Sequence, residues 1–223
     1  HFGSRGVPVL GIEPAANVAR TAVERGVRTE VRFFGEQTAK ELASRYGNAD
    51  LIVGNNVLAQ VPDLNDFVSG LRVLLKPHGT ITMEFPHLVA LMRGNQFDTI
   101  YHEHFSYFSF ISAEKIFAAH GLTLFDVEEL PTHGGSIRIY ARHARDTSRP
   151  VASNVDALRR REQQEGITRM DSYRAFAEQV KETKRAILEF LIQAKREAKR
   201  VVGYGAPGKG NTLLNYCGIR TDF

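Results

Sequence analysis

The sequence predicts an α/β fold, a largely parallel sheet with helices packed on it, and three observations point there. Short apolar runs alternate with amphipathic helical stretches from Val7 to Phe85. Ala49 to Gly54 (ADLIVG) has the near-continuous apolar character of a strand buried on both faces. A further strand, glycine-rich turn and helix start follow at Arg200, after a long helical interval.

The elements follow in order. Val7–Ile12 is a short apolar strand closed by Glu13-Pro14, and Asn17–Gly26 a helix with Val18, Ala22 and Val23 on one side. Glu30–Phe34 reads as a strand, Thr38–Tyr46 as a helix and Ala49–Gly54 as the central parallel strand. Pro62–Leu75 is helical up to the turn signal Lys76-Pro77-His78-Gly79, and Thr80–Phe85 is the next strand. Phe97–Phe110 is neither helical nor alternating, and concentrates Tyr101, His102, Glu103, His104, Phe105, Tyr107 and Phe108. Ser112 is placed to cap a helix over Ala113–His120, which Gly121 ends. Leu122–Leu130 and Ser136–Arg142 read as an antiparallel pair. The polar stretch Asp146–Pro150 marks a domain boundary, followed by helices over Asn154–Glu165 and Asp171–Arg200. A strand at Arg200–Tyr204, a turn at Gly205–Gly210 and a helix from Asn211 to Tyr216 open a second α/β unit. The division is therefore 1–145, a connector over 146–199, and 200–223.

Composition narrows the function classes. The 223 residues carry a formal charge of +4, and the basic residues between Arg159 and Arg200 are interleaved with glutamates, a solvated helix face and not a nucleic-acid stripe. No apolar run reaches the ~18–20 residues of a membrane span, and the opening residues do not read as a signal peptide. One cysteine, Cys217, excludes an internal disulfide and a Cys-rich zinc site in this chain and suits a reducing cytoplasm. The oligomeric state is left open, and a monomer satisfies the sequence.

Five constellations carry chemistry. Glu13, at the end of a parallel strand, is placed to accept from both ribose hydroxyls of a nucleotide, or to cap the next helix. Asn55 and Asn56 follow the central strand at the carboxyl edge where such sheets bind ligands; a capped turn is the plainer reading. Tyr101-His102-Glu103-His104 lacks the HExxH spacing of a zinc helix and fits a general base, since imidazole titrates near neutrality and a neighbouring carboxylate orients it. A surface turn is the alternative. His133-Gly134-Gly135-Ser136-Ile137-Arg138 either lets backbone approach a ligand, with Arg138 reaching a phosphate or carboxylate, or makes an ordinary hairpin. Gly203-Tyr204-Gly205-Ala206-Pro207-Gly208-Lys209-Gly210-Asn211 suits phosphate binding by backbone N–H groups and Lys209. Gly210 stands where a P-loop needs Ser or Thr for magnesium, which rejects an ATPase or GTPase.

YHEHFSYFS, HGGSIR and GYGAPGKGNTLLN, in this order, resemble the sugar C-methyltransferases of deoxysugar biosynthesis, over essentially the whole chain. The resemblance implies a class I Rossmann-like sheet for S-adenosylmethionine (SAM), truncated at its start, then connector helices and the beginning of a second Rossmann-like domain. It implies that zinc belongs to an N-terminal domain outside this chain. Glu13-Pro14, Asn55 and Asn56 would hold the cofactor. His104 would be the base, with Glu103 and Tyr101 shaping its surroundings. Gln60, His133, Arg138, Tyr204, Gly205, Lys209 and Asn211 would meet a nucleotide-sugar substrate. One departure stands out: Gln60 lies in AQVPD, where the family often has histidine. The expected reaction is C-methylation beside a ketone. Rival expectations are an O- or N-methyltransferase on a small acceptor, and a NAD-type oxidoreductase or binding module built on the Gly203 loop.

Overall fold

The structure, a computed structural model, describes residues 2–205 and 207–221. His1, Asp222, Phe223 and the Ala206 of the glycine-rich turn lie outside the described residues. A two-stranded parallel pair, β1 (Gly11–Ile12) and β2 (Thr29–Glu30), is bridged by helix α1 (Ala16–Glu24). Helix α2 (Glu36–Tyr46) leads into the main sheet, β3 (Ala49–Asn55), β4 (Leu75–Pro86), β5 (Leu122–Leu130) and β6 (Ser136–His143), in the order β3-β4-β6-β5. β3 and β4 are parallel; β6 runs antiparallel to both β4 and β5. Between them lie α3 (Leu64–Leu74), α4 (Leu88–Arg93) and α5 (Phe110–Ala119), and after them α6 (Ser153–Gln164), α7 (Met170–Arg196) and α8 (Gly208–Cys217). Among the described residues no helix is long and apolar enough to cross a membrane.

Strand alternation builds the core. Ile81, Met83 and Phe85 of β4 and Ile137, Ile139 and Ala141 of β6 recur every second residue and are fully buried on one face. Val68 and Leu71 of α3, Phe110 and Phe117 of α5, and Val155 and Leu158 of α6 cover that face. Two aspartates order the α2–α3 packing. Asp63 accepts the Asp66 N–H at 3.0 Å and caps α3, while Asp66 accepts the Glu36 N–H at 3.0 Å and caps α2 from the neighbouring helix. A Cβ at Gly70 would stand 2.7 Å from the Gly35 carbonyl carbon, so glycine is what lets the two helices meet this closely.

Several expectations change: the strands expected over Val7–Ile12 and Glu30–Phe34 shorten to Gly11–Ile12 and Thr29–Glu30. β3 is not buried on both faces: Ile52 and Gly54 share the core face with Ile81 and Met83, but Leu51 and Val53 remain 43% and 47% exposed. They share the opposite face with Thr80 and Thr82, and β3 is an edge strand of its sheet. The Lys76–Gly79 turn is part of β4, because an irregularity between Ala49 and Leu51 absorbs the extra residues of the register. Ser109 and not Ser112 caps α5, with its hydroxyl accepting the Ser112 N–H at 3.1 Å from an extended backbone. Arg200–Tyr204 forms no strand; Val201, Val202 and Tyr204 are exposed and no described strand lies beside them.

The 146–150 stretch, polar as a linker would be, is a tight knot. Asp146 is shielded from solvent and accepts from the Ser148 amide at 3.1 Å, the Ser148 hydroxyl at 2.7 Å and Arg149 at 3.1 Å, with His78 Nδ1 at 3.2 Å. Arg142 binds the carbonyls of Asp146 and Arg149. The Ser148 hydrogen bonds, aided by His78 and Arg149, hold the Asp146 carboxyl far below the usual carboxylate range. A carboxyl depressed in the folded state stabilises above its unfolded pKa of about 3.9, and that contribution disappears as pH falls through the folded value. Asp146→Ala is therefore expected to lower Tm at pH 7. The gap to wild type should narrow progressively below pH ~4 in a calorimetric pH series.

Candidate active site

The carboxyl ends of β3 and β4 carry the unusual backbone. Asn55 closes β3 and is exposed. Asn56, next along, has a left-handed φ of 55°, a conformation asparagine tolerates better than most residues, and donates its N–H to the Glu84 carbonyl at 2.8 Å. Its Nδ2 lies 2.9 Å from His133 Nε2, and His133 is itself left-handed at φ 53°. Such non-glycine strain gathers at functional sites. Asn56 Oδ1 is buried and has no hydrogen-bond partner among the described residues. A buried acceptor left open awaits a donor.

The His133 turn is held by protein on one side. Gly135 passes its carbonyl to the His87 N–H at 3.0 Å, and Gly134 passes its own to Gln96 Nε2 at 2.9 Å. A Cβ at Gly135 would meet the Ala90 Cβ at 2.5 Å. The glycine pair thus lets the turn close against α4. Arg138 does not extend an open fork. It donates to Glu84 at 2.7 Å and Glu128 at 3.2 Å, its register partners on the two flanking strands, and Thr132 completes Glu84 with a 3.0 Å hydroxyl bond. The Glu84 hydrogen bond pushes the Arg138 pKa up, and Glu84 and Glu128 engage its guanidinium as a cross-strand clasp.

The Tyr101–Phe108 segment arches across the same edge. The amides of Phe105 and Ser106 both donate to the Ala59 carbonyl, at 2.8 and 3.2 Å, which ties the arch to the short 3-10 turn Leu58–Gln60 beyond β3. Phe108 bridges to His87 beyond β4, and the Leu88 N–H donates to the Phe108 carbonyl at 2.9 Å. The Phe108 ring packs edge-on against Phe85 at 5.3 Å, so the arch is anchored in the core. His104 is half-buried between two phenols, with ring centroids 5.4 Å from Tyr101 and 5.6 Å from Tyr107. Glu103 engages the Tyr101 hydroxyl. That hydrogen bond, with some burial, raises the Tyr101 pKa and keeps it a phenol. The carboxylate expected to orient the imidazole therefore serves the tyrosine beside it.

Of the remaining residues read from sequence, Glu13 follows β1, half-buried, and accepts the Ala15 N–H at 2.8 Å with one oxygen, so it braces the start of α1. Pro14 beside it is exposed, and so is Gln60, which adjoins the Ala59 anchor of the arch. Tyr204 is exposed, Gly205 is left-handed at φ 115°, and Lys209 and Asn211 lie at the start of α8. The opposite end of α8 meets the domain: Tyr216 packs edge-on against Phe97 at 5.2 Å, and Lys184 of α7 donates to the Tyr216 carbonyl at 3.0 Å. Among the described residues no three His, Cys, Asp or Glu side chains converge as a metal site.

Sequence reasoning missed three buried groups, Glu84, His87 and Glu162. The signal for Glu162 was present: with Val155 and Leu158 it keeps the 3- and 4-residue spacing of the buried stripe of α6.

Comparison with known proteins bears on this geometry. A family model described as a methyltransferase domain matches residues 1–127. The chain belongs to the methyltransferase-domain family. A second model, the C-methyltransferase C-terminal domain, matches residues 131–223. The curated C-methyltransferase NovU of Streptomyces niveus is 39% identical over 218 residues, 98% of this chain and 52% of that protein, so the chain spans about half of its relative's length. Among solved structures, a SAM-dependent methyltransferase from Anabaena variabilis superposes with a TM-score of 0.50 at 14% identity, covering 64% of this chain and 71% of the other. The sheet is thus of the class I, Rossmann-like methyltransferase type.

Proposed function

We propose that the protein is a SAM-dependent C-methyltransferase acting on the carbon next to the ketone of a nucleotide-linked 4-keto-deoxysugar. The observation that carries this reading is the setting of His104, a half-buried imidazole between two phenols on an arch fastened to the carboxyl ends of β3 and β4. The names of the relative and of the second family model favour carbon as the methyl acceptor. The sugar rests on the YHEHFSYFS, HGGSIR and GYGAPGKGNTLLN motifs.

The residues present fit the cofactor. Asn56 Oδ1 is an unmatched buried acceptor at the strand end where a ligand binds, and Asn55 adjoins it. Glu13 keeps a second carboxylate oxygen for a ribose, with Pro14 fixing the turn. Bound SAM supplies an electrophilic methyl group. His104 removes the proton from the carbon beside the ketone, a task imidazole performs near neutral pH without large tuning. Tyr101, kept protonated by Glu103, is a neutral donor for the oxygen on which charge develops. Gln60 and His133 border the sugar, and the Tyr204-Gly205 turn with Lys209 and Asn211 takes the nucleotide phosphates. The test is product NMR with the full-length protein, ¹³C-methyl SAM and a nucleotide 4-keto-sugar. A new C–CH₃ resonance is expected. An O–CH₃ or N–CH₃ product overturns the reading.

A further inference from the structure

A buried carboxylate from outside the sheet lies beside the end of the arch that carries His104. Glu162 of α6 is 1% exposed and His87 5% exposed. Glu162 Oε1 lies 2.6 Å from His87 Nε2 and accepts the Phe110 N–H at 2.6 Å, while Oε2 accepts the Ile111 N–H at 2.9 Å. One side chain therefore meets the first two amides of α5 and the imidazole that follows β4. Those amides have no partners inside their own helix, and the positive end of the helix dipole favours an anion there. Burying a carboxylate is costly unless its oxygens are matched, and here both are.

The same two residues set the site. His87 donates its backbone N–H to Gly135, in the turn that presents His133, and forms the bridge to Phe108 that ends the His104 arch. Phe110, whose amide Glu162 holds, comes two residues after Phe108. The arch is thus fixed at its Phe108 end by contacts that converge on Glu162.

We propose that Glu162, acting through His87 and the start of α5, is a positioning residue for His104, so that α6 is part of the catalytic apparatus and not a spacer. The inference rests on the reading of His104 as base. Glu162→Gln keeps the shape and one acceptor oxygen but removes the charge. In the full-length protein it is expected to lower kcat for methyl transfer at least tenfold, within the ~10–100-fold range seen when outer hydrogen-bond partners are removed. KM for SAM should stay within about twofold, because the groups that hold the cofactor are unchanged. Hydrogen exchange on the substrate-free protein should quicken in peptides covering 101–111 and 132–136 and stay unchanged over α2. His87→Asn is measured in the same way. It leaves the α5 amides matched, keeps the test alive if Glu162→Gln does not fold, and is expected to show the same split. Turnover within about twofold of wild type, or faster exchange spread evenly over the chain, overturns the proposal. The exchange result is independent of substrate, so failure of the sugar reading alone, seen as an inactive wild type, is told apart from failure of this one.

Discussion

Replacing His104 by asparagine is expected to lower methyl transfer by about 10²–10⁴-fold, the usual span for loss of a general base. His104 is the half-buried imidazole of the arch, set between Tyr101 and Tyr107, whereas His102 is exposed. Tyr101 and Tyr107 are both pushed up, the first by its Glu103 hydrogen bond and the second by burial, so neither is available as a base at neutral pH. The fold should be indifferent to the change. His104 is half-buried and held through its backbone, with its amide donating to the Tyr101 carbonyl at 3.1 Å. The discriminating pattern is a large fall in kcat with SAM affinity, read by calorimetry, within about twofold of wild type. Equal losses in both would mean that the substitution damages the pocket and not the chemistry.

The second large effect is structural. Phe85→Ala is expected to destabilise the protein by about 3–5 kcal/mol, the cost of a large buried aromatic truncation. Phe85 is fully buried on the core face of β4 and meets the Phe108 ring edge-on at 5.3 Å. The cavity would open directly beneath the arch, so the residual activity at a temperature where the variant is still folded should fall as well. Leu51→Ala is the internal control: Leu51 is 43% exposed at the sheet edge and should change the chemical-denaturation midpoint little. A similar loss at both positions would contradict the assignment of core and edge.

Much of this architecture can be read from period and punctuation. Thr80–Phe85 and Ser136–Arg142 are legible as strands in the sequence, and the structure turns Ile81, Met83, Phe85, Ile137, Ile139 and Ala141 of these strands into the core. What escapes is set by tertiary partners. ADLIVG looks like a strand buried on both faces, yet only Ile52 and Gly54 face the core, because burial depends on neighbours that lie elsewhere in the chain. Val201 and Val202 have strand composition but no strand to pair with among the described residues. Asp146–Pro150 has linker composition but serves as a clasp, since Asp146 finds His78 68 residues away.

The candidate site divides in the same way. The Tyr101–His104 cluster is visible as a crowding of polar groups, and the asparagines after β3 by their place at the carboxyl end of a parallel strand. Their geometry is not: that Asn56 meets His133 across 77 positions, or that Glu103 turns to Tyr101, depends on the arch. Arg138 has partners that its motif does not announce. A motif reading makes it an anion receptor, and strand pairing places a carboxylate on either side of it. Glu162 is the group least accessible to a motif search, because its partners at 87, 110 and 111 share no local pattern with it.

The most direct test of the central claim follows the substrate proton itself. The full-length protein is incubated in D₂O with a nucleotide 4-keto-sugar and a non-reacting SAM analogue, and deuterium at the carbon beside the ketone is followed by NMR. The wild type should incorporate deuterium faster than the buffer background, and His104→Asn should fall to that background. Undiminished incorporation by the variant would contradict the account and move the base to another residue.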